Sequence, residues 1–235
     1  MTITTESITL DVKGSIMSAY VARPESGRAP GLIVFQEAFG VNDHVKDVAR
    51  RLAQQGYTAI APELFHRTAP PGFTAGYADY AALGPHMQGV TSEGIEDDAQ
   101  TCYEWLVNDR QVDATRLGAI GFCMGGRASF IANSKLPLSA AVSYYGGGIG
   151  TTLLDLTPEQ HGPMLFCWGG LDKHIGPDQR NAVTEAMTKA EKVYVSAEFS
   201  KADHGFFCDA RPAYNPNAAR QAWALTLSFL ATYLK

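Results

Sequence analysis

Near the start of the chain, apolar and polar residues partly alternate along SITLDV and again along SIMSAYVARP, with Gly14 between the two runs. A period of two marks a strand with one buried face, so the pair reads as an antiparallel edge. Beyond the Pro-Glu-Ser-Gly stretch at 24 to 27, GLIVFQ is almost wholly apolar, which predicts a strand buried on both faces. From Asp43 to about Gln55 the period becomes helical, because Val45, Val48, Ala49 and Leu52 fall on one face and Gly56 supplies the stop. TAIAP predicts the next strand, and Ser92, followed by acidic residues, opens a helix running to Asn108.

Strand and helix then keep alternating: LGAIGF, a helix over Met124 to Ser134, SAAVSYY, MLFCW, a helix over Pro177 to Ala190, KVYVSAEF, and a helix over Asn217 to Leu234. Only residues 63 to 91 interrupt the pattern. They are rich in Pro, Gly and Ala, with one short helix predicted around Tyr77 to Leu83, and loops of this length in compact domains are usually functional or mobile. The alternation predicts an α/β fold: a mostly parallel twisted sheet with helices on both faces and an antiparallel N-terminal edge, forming a single domain over residues 1–235.

Composition narrows the function. The chain has 235 residues, 46% of them hydrophobic, and a formal net charge of -5 without a Lys/Arg cluster. Neither nucleic acid nor an anionic membrane is an expected partner. No apolar run reaches the roughly 18 to 20 residues of a membrane-spanning helix, and the first residues lack the pattern of a signal peptide. The cytoplasm is the expected location. The four cysteines, Cys102, Cys123, Cys167 and Cys208, are far apart and without CxxC spacing, so reduced thiols are expected, each either core filler or chemistry.

One thiol stands in a chemical setting. Gly121-Phe122-Cys123-Met124-Gly125-Gly126 lies between the strand LGAIGF and the following helix, in the form G-x-C-x-G of a nucleophile elbow with Cys for Ser. Glycines flank such a turn because side chains there would strike the neighbouring strand and helix. The helix N-terminus favours a thiolate, and the Met124 backbone N–H can face a developing oxyanion. An elbow needs an acid and then a His, each in a loop after a later strand. Asp172 follows MLFCW and His204 follows KVYVSAEF.

Other candidates are weaker. Asp203 adjoins His204 and is badly placed to orient it, and Asp178 suits a helix first turn. His174, close to Asp172, is an alternative base; His44, His66, His86 and His161 read as loop residues. No His or Cys spacing suits zinc, so neither metal nor cofactor is expected. The run Tyr145 to Gly150 fits no phosphate-loop fingerprint and reads as a flexible loop. Glu37, after the first buried strand, is an awkward carboxylate near where an oxyanion would develop.

Together QEAFGVN at 36 to 42, APELF at 61 to 65, GFCMGG at 121 to 126, YYG at 144 to 146, WGGLD at 168 to 172 and DHGFF at 203 to 207 resemble the dienelactone hydrolase family, the carboxymethylenebutenolidases of the α/β-hydrolase fold. The resemblance implies a triad of Cys123, His204 and Asp172, an oxyanion hole from the backbone N–H groups of Ala38 and Met124, and Glu37 as the group that holds the resting thiol and helps ionise it. It makes Tyr144 and Tyr145 candidate substrate contacts. The family's two substrate arginines have no counterpart at the matching places: no Arg occurs between Arg67 and Arg110, and position 208 is Cys. Arg211 or Arg67 is left to supply that charge. The expected activity is hydrolysis of a small lactone or carboxylic ester by a monomer. A general carboxylesterase or thioesterase is the alternative, and a non-catalytic redox sensor or ligand-binding protein is a more distant one.

Overall fold

A computed structural model describes residues 2–25 and 27–235; Met1, and Ser26 in the loop at 24 to 27, lie outside the described residues. The eight strands form one sheet in the order β1-β2-β4-β3-β5-β6-β7-β8. The chain divides into two compact units, 1–118 and 119–235, with strand β5 (Val112–Phe122) running from one into the other.

In the first unit β1 (Ile3–Val12) and β2 (Ser15–Pro24) form the antiparallel hairpin, closed by Lys13 and Gly14 at φ 52° and 88°. Positive φ at both turn residues matches the twist of the flanking strands. β2 pairs antiparallel with β4 (Thr58–Pro62), which pairs parallel with β3 (Ala29–Phe35). Every residue of β3 and β4 is buried, as their continuous apolar runs require. Helix α1 (Asp43–Gln54) is capped by Asn42, which accepts from the Val45 N–H, and it ends before Gly56 at φ 90°.

The segment from 63 onwards is more ordered than its composition suggests. Its helix, α2 (Tyr80–Gly89), lies later than expected because Asp79 supplies the cap, accepting from the Ala82 N–H. Helix α3 (Ser92–Asn108) has Thr91 as its cap. Asp98 on α3 is 1% exposed and receives both Arg67 Nη atoms at 2.8 and 3.1 Å and His66 Nε2 at 3.0 Å, while His66 Nδ1 lies 3.0 Å from Ser15 Oγ. This network ties the segment to α3 and to the hairpin.

In the second unit β6 (Ala140–Tyr144), β7 (Met164–Gly169) and β8 (Tyr194–Phe199) run parallel, and β6 and β7 are wholly buried. Helix α4 (Met124–Lys135) packs on β6, and α7 (Pro216–Leu234) on β6 and β7. Between β6 and β7 the glycine run, expected as a flexible loop, is bend and turn over 145–148. It opens a short helix, α5 (Ile149–Thr152), and then a 3-10 turn (Leu154–Glu159), which pack with α6 (Pro177–Lys189). No described helix is long and apolar enough to cross a membrane.

Candidate active site

The elbow begins where β5 ends. Cys123 has φ 56° and ψ -116°, a region of backbone space that non-glycine residues occupy rarely and at a cost of order 1–3 kcal/mol. The turn is over-determined by its neighbours. A Cβ at Gly121 would overlap the Gly125 carbonyl, and one at Gly126 would come within 2.6 Å of Tyr144 O. The Cys123 N–H donates to that same Tyr144 carbonyl at 3.0 Å, while Cys123 O accepts from Gly126 and Arg127. The side chain of Cys123 therefore leaves the strand at the first turn of α4, where backbone N–H groups have no intrahelical acceptor and the helix dipole favours negative charge. The Met124 N–H belongs to that turn.

The other thiols are buried. Burial pushes the Cys102 thiol well up, with the Asp98 charge adding to it, and burial likewise raises Cys167. Cys123, partly exposed, is the one described cysteine open to reaction.

Asp172 and His204 converge on it from the loops after β7 and β8. His204 Nε2 is 3.1 Å from Cys123 Sγ, and its Nδ1 is 2.7 Å from Asp172 Oδ2. Asp172 Oδ1 meanwhile accepts the N–H groups of His174 and Ile175 at 2.8 and 3.1 Å. Burial alone would raise the Asp172 carboxyl, but the bond to His204, its charge and the two backbone donors hold it below the ordinary value. For His204, burial disfavours the imidazolium. The bonds to Asp172 and Cys123 and the attraction of their charges outweigh that and raise it to about 10. With Asp172 ionised, Nδ1–H donates to it, and Nε2 faces Cys123 Sγ across a shared proton.

The remaining sequence candidates separate. Asp203 does not orient the imidazole; its carboxylate accepts the backbone N–H of His204 at 2.7 Å. His174 is exposed, its ring 5.3 Å from that of His204, and its backbone rather than its imidazole serves Asp172. Tyr144 and Tyr145, the candidate substrate contacts, are both fully buried. The Tyr144 hydroxyl is 2.7 Å from Thr226 Oγ1 on α7, so that side chain belongs to the core. Arg67 is corrected, because its guanidinium is engaged by the buried Asp98. Arg211 is half-buried and packs its guanidinium on Gly205, whose φ of 80° and lack of Cβ make the approach possible. Glu37, 1% exposed, and Ala38, 7% exposed, follow β3 in the first unit. Sequence reasoning missed the two backbone donors to Asp172 and the Tyr145 ring beside His204. The first is an Asx-type turn made two and three residues on; the second joins residues far apart in the chain, and no local pattern marks it.

The dienelactone hydrolase family matches residues 17–234. This chain belongs to that family. Family membership makes it a carboxylic ester hydrolase. It is 34% identical over 243 residues to a Synechocystis sp. protein named "Putative carboxymethylenebutenolidase", covering 99% of this chain and 98% of the other. The crystal structure of a Klebsiella pneumoniae protein named "Putative Dienelactone Hydrolase" superposes with a TM-score of 0.91 at 33% identity, covering 99% of this chain and 100% of that one. A Pyrococcus horikoshii acylaminoacyl peptidase shares the fold alone, at 17% identity, a TM-score of 0.75 and coverage of 100% of this chain and 42% of the other. The family's fold is the α/β-hydrolase fold, as the resemblance implied, and its mostly parallel sheet is what the strand and helix alternation implied.

Proposed function

We propose that the chain opens lactones or small carboxylic esters, in the manner of a carboxymethylenebutenolidase, through a thioester on Cys123. The observation that carries this reading is the unbroken line of contacts from Asp172 through His204 to the Cys123 sulfur, at 2.7 and 3.1 Å. His204 takes the thiol proton as Sγ bonds to the acyl carbon. The bond from that carbon to the alcohol oxygen breaks, and the imidazolium returns the proton to the departing oxygen. With a lactone, that oxygen stays on the acyl group as a hydroxyl.

In the second half His204 deprotonates a water whose oxygen bonds to the acyl carbon. The carbon–sulfur bond breaks and the thiol regains a proton. Water is the only co-reactant. Asp172 holds the productive tautomer, and the Met124 N–H at the first turn of α4 serves the oxyanion; the resemblance assigns the second donor to the Ala38 N–H. Glu37 keeps the part that the resemblance gives it, control of the thiol's ionisation. The family match, spanning both compact units, supports treating the chain as one functional domain.

Cys123→Ala tests the reading. Hydrolysis of an aryl ester and of an enol lactone is expected to fall at least about a hundredfold with the melting profile retained, since loss of a triad member typically removes several orders of magnitude. Mass spectrometry of the wild-type protein quenched during turnover should find the acyl group on Cys123. Activity above about one hundredth of wild type in the alanine variant would overturn the nucleophile assignment and leave the family membership standing.

A further inference from the structure

Tyr145 is the first residue beyond β6, and its φ of 37° lies in the left-handed region that bulky side chains seldom enter. Its neighbours impose this turn. The Tyr144 carbonyl is held by the Cys123 N–H, the Tyr145 N–H donates to Cys167 O at 2.8 Å, and a Cβ on Gly146 would come within 2.9 Å of Gly126 C. The chain leaving β6 is thus pinned against the elbow on one side and β7 on the other. Strain of this kind is retained where it places something useful.

What it places is an aromatic ring. The Tyr145 ring centroid is 5.1 Å from that of His204 at an interplanar angle of 58°, and Phe206 braces the same ring from 5.4 Å at 70°. His204 needs such a face. Its two hydrogen bonds run from opposite nitrogens to Asp172 and Cys123, so they define a line and leave the imidazole free to rock about it. A flat ring packed alongside removes that freedom, and the negative face of a π system favours a neighbouring cation. The other groups about His204 are the exposed imidazole of His174, the Asp203 carboxylate at its backbone N–H, and the Arg211 guanidinium lying on Gly205. None of them offers a buried aromatic face.

We propose that Tyr145 is a positioning residue for ester hydrolysis: the left-handed turn after β6 sets its ring against His204, keeps the imidazole in line between Asp172 and Cys123, and favours its protonated form. The hydroxyl is not required. This rests on the triad reading above.

The test compares Tyr145→Phe with Tyr145→Leu on a neutral aryl ester, with a pH profile and an NMR titration of the His204 ring. The phenylalanine variant should keep kcat/KM within about threefold. The leucine variant should lose roughly 10- to 100-fold, carried by kcat with KM nearly unchanged, as expected when only the transition state is affected. Its imidazolium should also deprotonate at lower pH, by about half a unit or more. Tyr145→Met, which keeps bulk without a π face, carries the same comparison if the leucine variant does not melt cooperatively.

Leucine or methionine variants with wild-type kcat and an unmoved titration would overturn the proposal. So would a phenylalanine variant as impaired as the leucine one, which would put the function on the hydroxyl. Cys123→Ala and His204→Asn controls separate the two layers. If both stay active, the triad reading fails; if both are inactive while Tyr145→Leu works normally, only the Tyr145 proposal fails.

Discussion

Arg211 is where single residues decide the choice of substrate. The family resemblance puts an arginine four residues beyond the triad His, and this chain has a buried Cys208 there. Arg67 is committed to Asp98, so Arg211, whose guanidinium lies on the residue after His204, is the cation we propose for a substrate carboxylate. Arg211→Ala should lower kcat/KM for an anionic enol lactone by roughly 10 to 1000 fold, the range for losing a charge-assisted contact in a shielded site. Its neutral methyl ester should be almost unaffected. Paired kinetics on the two substrates check this, and equal loss on both would favour the general esterase alternative with the triad untouched. The sequence alone left both arginines open, because the approach of the Arg211 guanidinium to Gly205 depends on how the loop after His204 folds.

At the scale of elements, the strand-turn-helix from β5 through Cys123 into α4 joins fold to chemistry. Its legibility in the sequence came from spacing: the glycines at 121 and 126 sit where side chains would meet backbone, and the structure shows those overlaps. Gly121→Ala puts a methyl group into the Gly125 carbonyl, and neither partner is a flexible side-chain end. Forcing extra volume into packed structure costs typically about 1–3 kcal/mol. At about 2–4 °C per kcal/mol for a chain of this size, the expected fall in Tm is on the order of 2–12 °C. Calorimetry of the purified variant measures it, and an unchanged Tm would mean that the turn relaxes freely. Helix α2 shows the opposite case. Its apolar pattern is weak and contains Pro85, so only the Asp79 cap and the packing of the 63 to 79 segment fix where it starts.

Across the whole molecule, the raised His204 couples the site to stability. A group protonated more readily folded than unfolded stabilises fully below its unfolded value, about 6.5 for histidine, and that contribution disappears as pH rises through the folded value. With the folded value at about 10, this contribution to stability should decline between about pH 6.5 and pH 10. His204→Gln should flatten that part of the profile in urea melts at a series of pH values; a wild-type slope in the variant would assign the decline to other groups. The sequence by itself determined the α/β class, the buried strands, the elbow and the order Cys, Asp, His, because these follow from periodicity and short-range steric rules that neighbours along the chain carry. It also left Asp203 a weak rival to Asp172 by adjacency alone. Only the tertiary structure decided the rest: that Asp172, 32 residues from His204, is its partner, that Arg67 is bound to Asp98, and that the Tyr145 ring lies beside the imidazole. Each of these is a contact between residues far apart in the chain, and such a distance closes only when strands and loops have packed, which no local pattern of polarity encodes.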